Sequence, residues 1–122
     1  MATIKAFSDL QQSKKLAEIL PIESADMYYD RGGLPSLIDK YVTHESIKSD
    51  KYHHLIPCWS LASLLGVIKN VACYQMLNVF DNRVFVVCDI ENKPYHVETE
   101  VYYNEVDACV ELILKLHELN LL

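Results

Sequence analysis

The chain has few residues that bend or break a backbone, with three glycines and four prolines among its 122 residues. Gly32 and Gly33 are adjacent, but neither the Lys-Ser/Thr pair of a phosphate-binding loop nor the spacing of a dinucleotide fingerprint follows them. We therefore expect a turn at this pair and no nucleotide site. No motif in the chain predicts a cofactor.

Long apolar runs and paired cysteines are also missing. No stretch approaches the roughly 20 apolar residues that cross a bilayer, and the N-terminal segment Met-Ala-Thr-Ile-Lys-Ala-Phe lacks the apolar centre of a signal peptide. Cys58, Cys73, Cys88 and Cys109 are widely spaced within apolar runs, which is typical of reduced, packed thiols. These absences predict a cytoplasmic protein without a membrane span or a disulfide framework.

Basic residues are outnumbered, since 11 Lys and Arg face 17 Asp and Glu for a net charge of −6. Residues 62–122 hold most of the excess, with 9 acidic and 4 basic side chains. Binding to a nucleic-acid backbone depends on Lys and Arg, so direct nucleic-acid binding is not expected. A basic protein partner fits this charge better.

The segment Pro57–Leu65 contains the only tryptophan and the clearest helix start. Ser60 can cap a helix over about 59–69, and Trp59 and Leu64 have the spacing of a hydrophobic staple. The apolar residues of this helix recur at helical intervals and require burial. We therefore expect Trp59 at the centre of the core.

The residues that precede this helix also show helix-forming patterns. Ser8 and Gln11 have the form of a capping box for a helix over 9–20, and Pro35 suits the first position of a short helix near 35–43. The polar residues 43–52 predict a surface connection.

After it the pattern changes to strands at 72–80, 83–90 and 95–103, with turns at Asp81-Asn82 and Glu91–Pro94, and then to a last helix capped by Asn104. The whole chain, 1–122, is thus predicted to be a single α+β domain. It would hold a three-stranded antiparallel β-meander packed with about three to four helices.

The second and third strands differ in their alternation. Both faces of 83–90 are apolar, so this strand should be central and covered on two sides. In the third strand, Val97, Val101 and Tyr103 are predicted to face the core, and the polar face is predicted to carry His96, Glu98, Glu100 and Tyr102. Of the adjacent Tyr102 and Tyr103, one must be in the core and the other on the surface.

The chain resembles a loose group of small proteins encoded by bacterial phages and other mobile elements. The resemblance rests on Glu23-Ser24-Ala25-Asp26-Met27-Tyr28, on Pro57-Cys58-Trp59-Ser60-Leu61 with Leu64-Leu65, and on Val106-Asp107-Ala108 with Val110-Glu111. It implies a genetic context, and it brings no activity, cofactor or catalytic residue with it.

Three constellations could carry chemistry. Cys58 with His53 and His54 could form a nucleophile pair, although no orienting partner is identifiable and a packed thiol explains Cys58 better. A zinc site could combine those three residues with His44, Cys73 or Cys88, but the paired ligand spacing of structural zinc is missing. His96, Glu98 and Glu100 could hold a divalent cation, or they could be solvated charge on a sheet face. We predict no catalytic residue and no metal site.

Tyrosine is abundant, with eight residues that favour interfaces and ligand pockets. The predicted binding residues are Tyr28, Tyr29, His96, Glu98, Glu100 and Tyr102. They favour a non-enzymatic interaction protein that binds a protein partner, or itself through the second apolar face of the hairpin. In its sharper form this is an acidic accessory factor that blocks a host enzyme. The alternative is a small-molecule binder, or a weak enzyme, with a tyrosine-lined pocket.

Overall fold

The structure is a computed structural model that describes residues 5–50, 54–79, 83–89 and 96–122. These residues form an α+β arrangement, as predicted, in which the helices combine with two antiparallel sheets. In chain order the elements are α1 (Leu10–Ile19), a 3-10 turn (Ile22–Ser24), β1 (Met27–Tyr29), β2 (Pro35–Leu37), α2 (His44–Lys48), β3 (Ile56–Cys58), α3 (Leu61–Lys69), β4 (Cys73–Asn78), β5 (Val84–Asp89), β6 (His96–Glu98) and α4 (Glu105–Glu118). None of the helices within these ranges is long and apolar enough to span a membrane.

The first sheet, in the order β2-β1-β3, was not predicted, and the helix expected near 35–43 is wrong. Pro35 lies opposite Tyr29, and Leu37 lies opposite Met27, in an antiparallel pair. The Asp30 carboxylate closes the connection by accepting the N–H groups of Gly32 and Leu34, and Gly33 adopts a positive φ of 79°. The fixed φ of proline suits an edge strand as well as a helix start, and this turn selects the strand.

A short helix, α2, occupies the segment predicted as a polar connection. Thr43 and Ser46 form a capping box, in which each side chain accepts the backbone N–H of the other residue. Ile47 points into the protein and is buried. One apolar side chain and a local cap are thus enough to hold five helical residues here.

The second sheet is the predicted meander, in the order β4-β5-β6. Cys73 lies opposite Asp89 and Asn78 opposite Val84, and the third strand pairs Asp89 with His96. The two predicted turns of this meander lie outside the described residues, as do Phe80, Ile90 and Tyr95 at the predicted strand ends.

A β-bulge shifts the third strand of this sheet by one residue. Val97 pairs with Cys88, and the Thr99 N–H donates to the Val86 carbonyl at 3.0 Å. The next pair is Val84 with Tyr102, although an unbroken ladder would place Val101 there. Glu100 and Val101 together therefore lie opposite one residue of β5, and the inward and outward positions exchange beyond them.

The core lies where α3 and α4 meet the second sheet. Trp59 is fully buried, and its indole N–H donates to Ser24 Oγ at 2.9 Å. Ser60 caps α3, as predicted, by accepting the Ser63 N–H. At α1, Asp9 and Gln12 form the capping box, one position beyond the predicted Ser8 and Gln11. The side chains that join this core from the sheet and from α4 include Val84, Val86, Cys88, Val97, Val106, Cys109, Ile113 and Leu116.

Candidate interaction surface

The face of the second sheet that points away from this core is the candidate site, and we name it the outer sheet face. Strand alternation decides its membership: Val84, Val86 and Cys88 of β5 are buried, so their neighbours point the other way. The cross-strand register adds the matching residues of β4 and β6. The face consists of Cys73, Gln75, Leu77, Phe85, Val87, Asp89, His96 and Glu98.

The centre of the outer sheet face is apolar. Leu77 lies directly opposite Phe85, and Gln75 lies opposite Val87 on the neighbouring strand. Leu77, Phe85 and Val87 are half-buried, and none of the three belongs to the buried core cluster. The prediction that β5 is central is confirmed, but the described helices cover only one of its faces.

One side of this face is charged. His96 Nδ1 lies 3.0 Å from Asp89 Oδ1, and His96 Nε2 lies 3.6 Å from Glu98 Oε2. The hydrogen bond to Asp89 is the main reason that the pKa of His96 is raised above 6.5, with Glu98 adding to it. Two carboxylates and one titrating imidazole thus border the apolar centre.

The six predicted binding residues do not form one site. His96 and Glu98 lie on the outer sheet face, and Glu100 is exposed within the bulge next to it. Tyr102 was predicted on the polar face, but the bulge turns it toward the core cluster, and Tyr103 is the exposed member of the pair. The expectation that one of these two tyrosines is in the core is therefore met by Tyr102.

Tyr28 and Tyr29 lie on β1, in the other sheet. Tyr29 is buried, and its hydroxyl donates to the Ser8 carbonyl at 2.7 Å. Burial, followed by the proximity of Cys58, raises the pKa of Tyr29 to about 12. This tyrosine is a structural residue that fastens the N-terminal segment to the first sheet.

The Cys58 thiol is packed in the protein interior, as the interpretation of Cys58 as a packed thiol predicted. Cys58 is fully buried in β3, where Ser8 Oγ lies 3.6 Å from its sulfur, and burial raises its pKa. Of the two histidines considered with it, His54 bonds Arg31 through Nδ1, and His53 lies outside the described residues. A thiol whose pKa is raised by burial is not an activated nucleophile.

The zinc and cation hypotheses gain no support from the geometry. Among the described residues no group of three or more His, Cys, Asp or Glu side chains could hold a metal ion. His44 Nε2 lies 2.7 Å from the Ala25 carbonyl, and both ring nitrogens of His96 face carboxylates.

Concave sites also lie elsewhere in the described part of the chain. A groove of about 500 Å³ between α1, α2 and β3 is lined by apolar residues that include Ile22, Ile47 and Leu55, and none of the described residues that line it is a tyrosine. A second cavity of about 310 Å³ between α1 and α4 contains Tyr102 with Lys5, Glu111 and Asp107. Burial, and then Glu111, raises the pKa of Tyr102.

Comparisons with protein-family models, with curated proteins and with solved structures found no match. The candidate site therefore depends on the geometry alone. The predicted binding residues include His96 and Glu98 of this face but not Leu77, Phe85, Val87 or Asp89, although the second apolar face of the hairpin was predicted as a surface for self-association. The two apolar faces of 83–90 were the available indication, because one of them had to point outward if the helices covered only one side.

Proposed function

We propose that the protein is a non-enzymatic interaction module that binds a protein partner on its outer sheet face. The observation that carries this proposal is the row formed by Leu77, Phe85 and Val87, which is apolar although the described helices pack on the opposite face. Apolar patches with a polar border on a soluble protein are typical of interaction sites. A partner that covered these side chains would gain hydrophobic free energy without a change of fold.

The partner is expected to be basic around an apolar centre. Asp89 and Glu98 border the apolar row, and the whole chain carries a net charge of −6. Lys or Arg side chains of a partner could reach these carboxylates, while its apolar residues cover Val87. Complementary charge of this kind mainly raises the association rate and selects the partner.

The resemblance to phage and mobile-element proteins suggests a sharper form of this proposal. In that context the partner would be a host enzyme that binds nucleic acid, and Glu98, Glu100 and Asp89 would imitate phosphate charges. The test is a competition assay with host nucleic-acid enzymes. If such enzymes neither bind the protein nor lose activity in its presence, charge mimicry is excluded and only the general proposal is retained.

Site-specific photo-cross-linking tests the general proposal. A photoreactive amino acid replaces Val87 on the outer sheet face. As a matched control it replaces Tyr41, which is 78% exposed and does not belong to that face. We expect one dominant cross-linked host protein from position 87 and not from position 41, with the attachment point in a basic segment. Cross-linking that is equal at both positions, or absent at position 87, would contradict the proposal.

A small-molecule binder is the second candidate, and the groove between α1, α2 and β3 favours it. Its volume of about 500 Å³ is within the usual range of ligand pockets, and its lining combines apolar side chains with two lysines, Lys14 and Lys48, and two carboxylates, Glu18 and Asp50. The ligand would then be a mainly apolar molecule with polar groups at its edge. Native mass spectrometry of the untagged protein from host lysate would reveal a retained small mass, whereas a bare protein mass argues against this candidate.

A further inference from the structure

The outer strand of the second sheet, β4, has an edge to which no other described strand is paired. β4 contains six residues, and it lies at the end of the order β4-β5-β6. The sequence around it, 70–80, contains no Asp, Glu, Lys or Arg and no proline. Natural edge strands usually avoid unwanted pairing by charge, proline or short length, and β4 uses none of these devices.

The backbone groups on this edge can be identified from the ladder. The Val79 N–H donates to the Arg83 carbonyl at 2.9 Å, so the odd-numbered residues of β4 bond to β5. Antiparallel pairing alternates along a strand, and the N–H and carbonyl groups of Tyr74, Met76 and Asn78 therefore point away from β5. No described residue bonds to these groups. We name them the β4 edge.

In the first sheet, by contrast, the edge strand β2 is poorly suited to pairing with a second chain. The Asp30 N–H donates to the Leu34 carbonyl, and the Ile38 N–H donates to the Asp26 carbonyl. By the same alternation the backbone groups of Pro35 and Leu37 point away from β1. Because proline has no N–H, the outward position at Pro35 offers no donor. Strand β2 also has only three residues. A second chain would find few donors there, whereas the β4 edge is complete.

We propose that two copies of the chain associate through their β4 edges and form one continuous antiparallel sheet. The outward residues are symmetric about Met76, so a two-fold axis there pairs Met76 with Met76 of the second copy and Tyr74 with its Asn78. Every outward N–H and carbonyl of both copies is then bonded. The outer sheet faces of the two copies also become one surface.

The charge distribution is compatible with a second copy at this edge. Each copy carries a net charge of −6, so self-association requires an approach that keeps acidic groups apart. The β4 edge lies within an uncharged segment, and the carboxylate of Glu98 is on β6, at the opposite edge of the sheet. This proposal uses the edge of the sheet and is independent of partner binding on the outer sheet face.

Sedimentation velocity of the full chain tests the proposal. We expect a species of twice the 14.0 kDa chain mass. Asn78→Pro removes an outward N–H from an exposed strand end and should raise the dimer dissociation constant at least tenfold. The matched control Asn78→Ala keeps that N–H and should leave the constant within about twofold. A monomeric native protein at 100 µM, or a dimer that Asn78→Pro leaves unchanged, would overturn the proposal.

Disulfide trapping provides a test that does not depend on the proline variant. In the proposed register Gln75 lies opposite Leu77 of the second copy in a non-hydrogen-bonded pair, with Cα atoms about 4.5 Å apart, which a disulfide can span. The variant Cys73→Ser/Gln75→Cys/Leu77→Cys should form a covalent dimer under mild oxidation. The control Cys73→Ser/Val87→Cys, with its cysteine on the outer sheet face, should stay monomeric on a denaturing gel. Trapping through position 87 instead would show that the face, not the edge, associates.

Discussion

Asp89 and His96 face each other across the β5–β6 ladder, with the carboxylate Oδ1 and the imidazole Nδ1 3.0 Å apart. Glu98 approaches the other ring nitrogen at 3.6 Å. Protonation of His96 therefore changes the charge at the border of the outer sheet face. This relationship connects the pH of the solution to the surface that we propose binds a basic partner.

The first prediction concerns the pKa of His96. It should exceed 6.5 in the folded protein, because the hydrogen bond to Asp89 stabilises the imidazolium. Asp89→Asn should lower it toward 6.5, and NMR titration of the imidazole protons measures both values. A pKa that does not respond to Asp89→Asn would exclude the pair as its cause.

The sign of the pH effect follows from this raised pKa. The pair of Asp89 and His96 contributes to folding stability below pH 6.5, and this contribution is lost as the pH rises through the pKa of His96 in the folded state. Partner binding has the opposite dependence. Above that pKa, Asp89 and Glu98 are no longer compensated, so a basic partner should bind more tightly as the pH rises.

The second prediction concerns Asp107, at the start of α4. Burial opposes its ionisation, but hydrogen bonds from Lys5, Gln12 and Asn104 outweigh that effect and lower its pKa below 3.8. Asp107→Asn should reduce the free energy of unfolding at pH 7 by about 1–2 kcal/mol, since these bonds to a charged group are lost or weakened.

Because the folded pKa of Asp107 is lowered, its contribution is present above pH 3.8 and fades as the pH falls through the folded value. The difference in unfolding free energy between the native protein and Asp107→Asn should therefore shrink in acid. Urea unfolding at several pH values measures it. Glu105→Gln removes a charge from the same helical turn and serves as the control, with a loss below about 0.5 kcal/mol.

The third prediction distinguishes the four thiols. Cys73 is exposed, whereas Cys58, Cys88 and Cys109 are buried, and burial raises the pKa of Cys109 to about 12. A thiol reagent at pH 7 to 8 should modify Cys73 first and the others only on unfolding. Fast labelling of Cys58 in the native protein would revive the nucleophile hypothesis, and peptide mass mapping identifies the modified residue.

The fourth prediction concerns the junction between β1 and α3. Ser60 caps α3, and its own N–H donates to Asp26 Oδ1 at 2.9 Å while its hydroxyl bonds the other carboxylate oxygen. Ser60→Ala should cost about 1–2 kcal/mol of unfolding free energy, because the cap and the hydroxyl bond to Asp26 are both lost while the backbone N–H bond remains. Ser60→Thr keeps the hydroxyl and should recover most of it. Equal losses in both variants would indicate a packing effect instead.

Elements that are marked by a capping residue or by a clear apolar pattern could be predicted from the sequence. Helix α3 has a serine cap and an apolar stripe, and α4 has an asparagine cap and the buried series that includes Val106, Cys109 and Ile113. The β4–β5 hairpin follows from runs of β-branched and aromatic residues around Asp81-Asn82. In these cases residues near in sequence carry the information.

The first sheet could not be predicted, because its strands have three residues each and show no periodicity. Tyr28 pairs with Ser36 on one side and with Pro57 on the other, and the second of these contacts joins distant parts of the chain. Pro35 satisfies the rules for a helix start and for an edge strand alike. Tertiary pairing decided between them.

The bulge likewise made part of the candidate site unpredictable from the sequence. Strict alternation placed Tyr102 on the polar face, but Glu100 and Val101 both oppose Phe85, so Tyr102 turns inward. One inserted residue reverses every later assignment in a strand. The charged pair of Asp89 and His96 was likewise invisible in sequence, since only the register brings these residues together.

The affinity of the cross-linked partner tests the central proposal most directly. Its dissociation constant is measured for the native protein, for Val87→Ser on the outer sheet face and for Leu37→Ser, an exposed apolar residue of the other sheet. We predict that Val87→Ser weakens binding at least tenfold, a loss of about 1.4 kcal/mol, and that Leu37→Ser changes it less than twofold. Unchanged affinity in Val87→Ser, or a larger loss in Leu37→Ser, would contradict the proposal that the outer sheet face is the binding site.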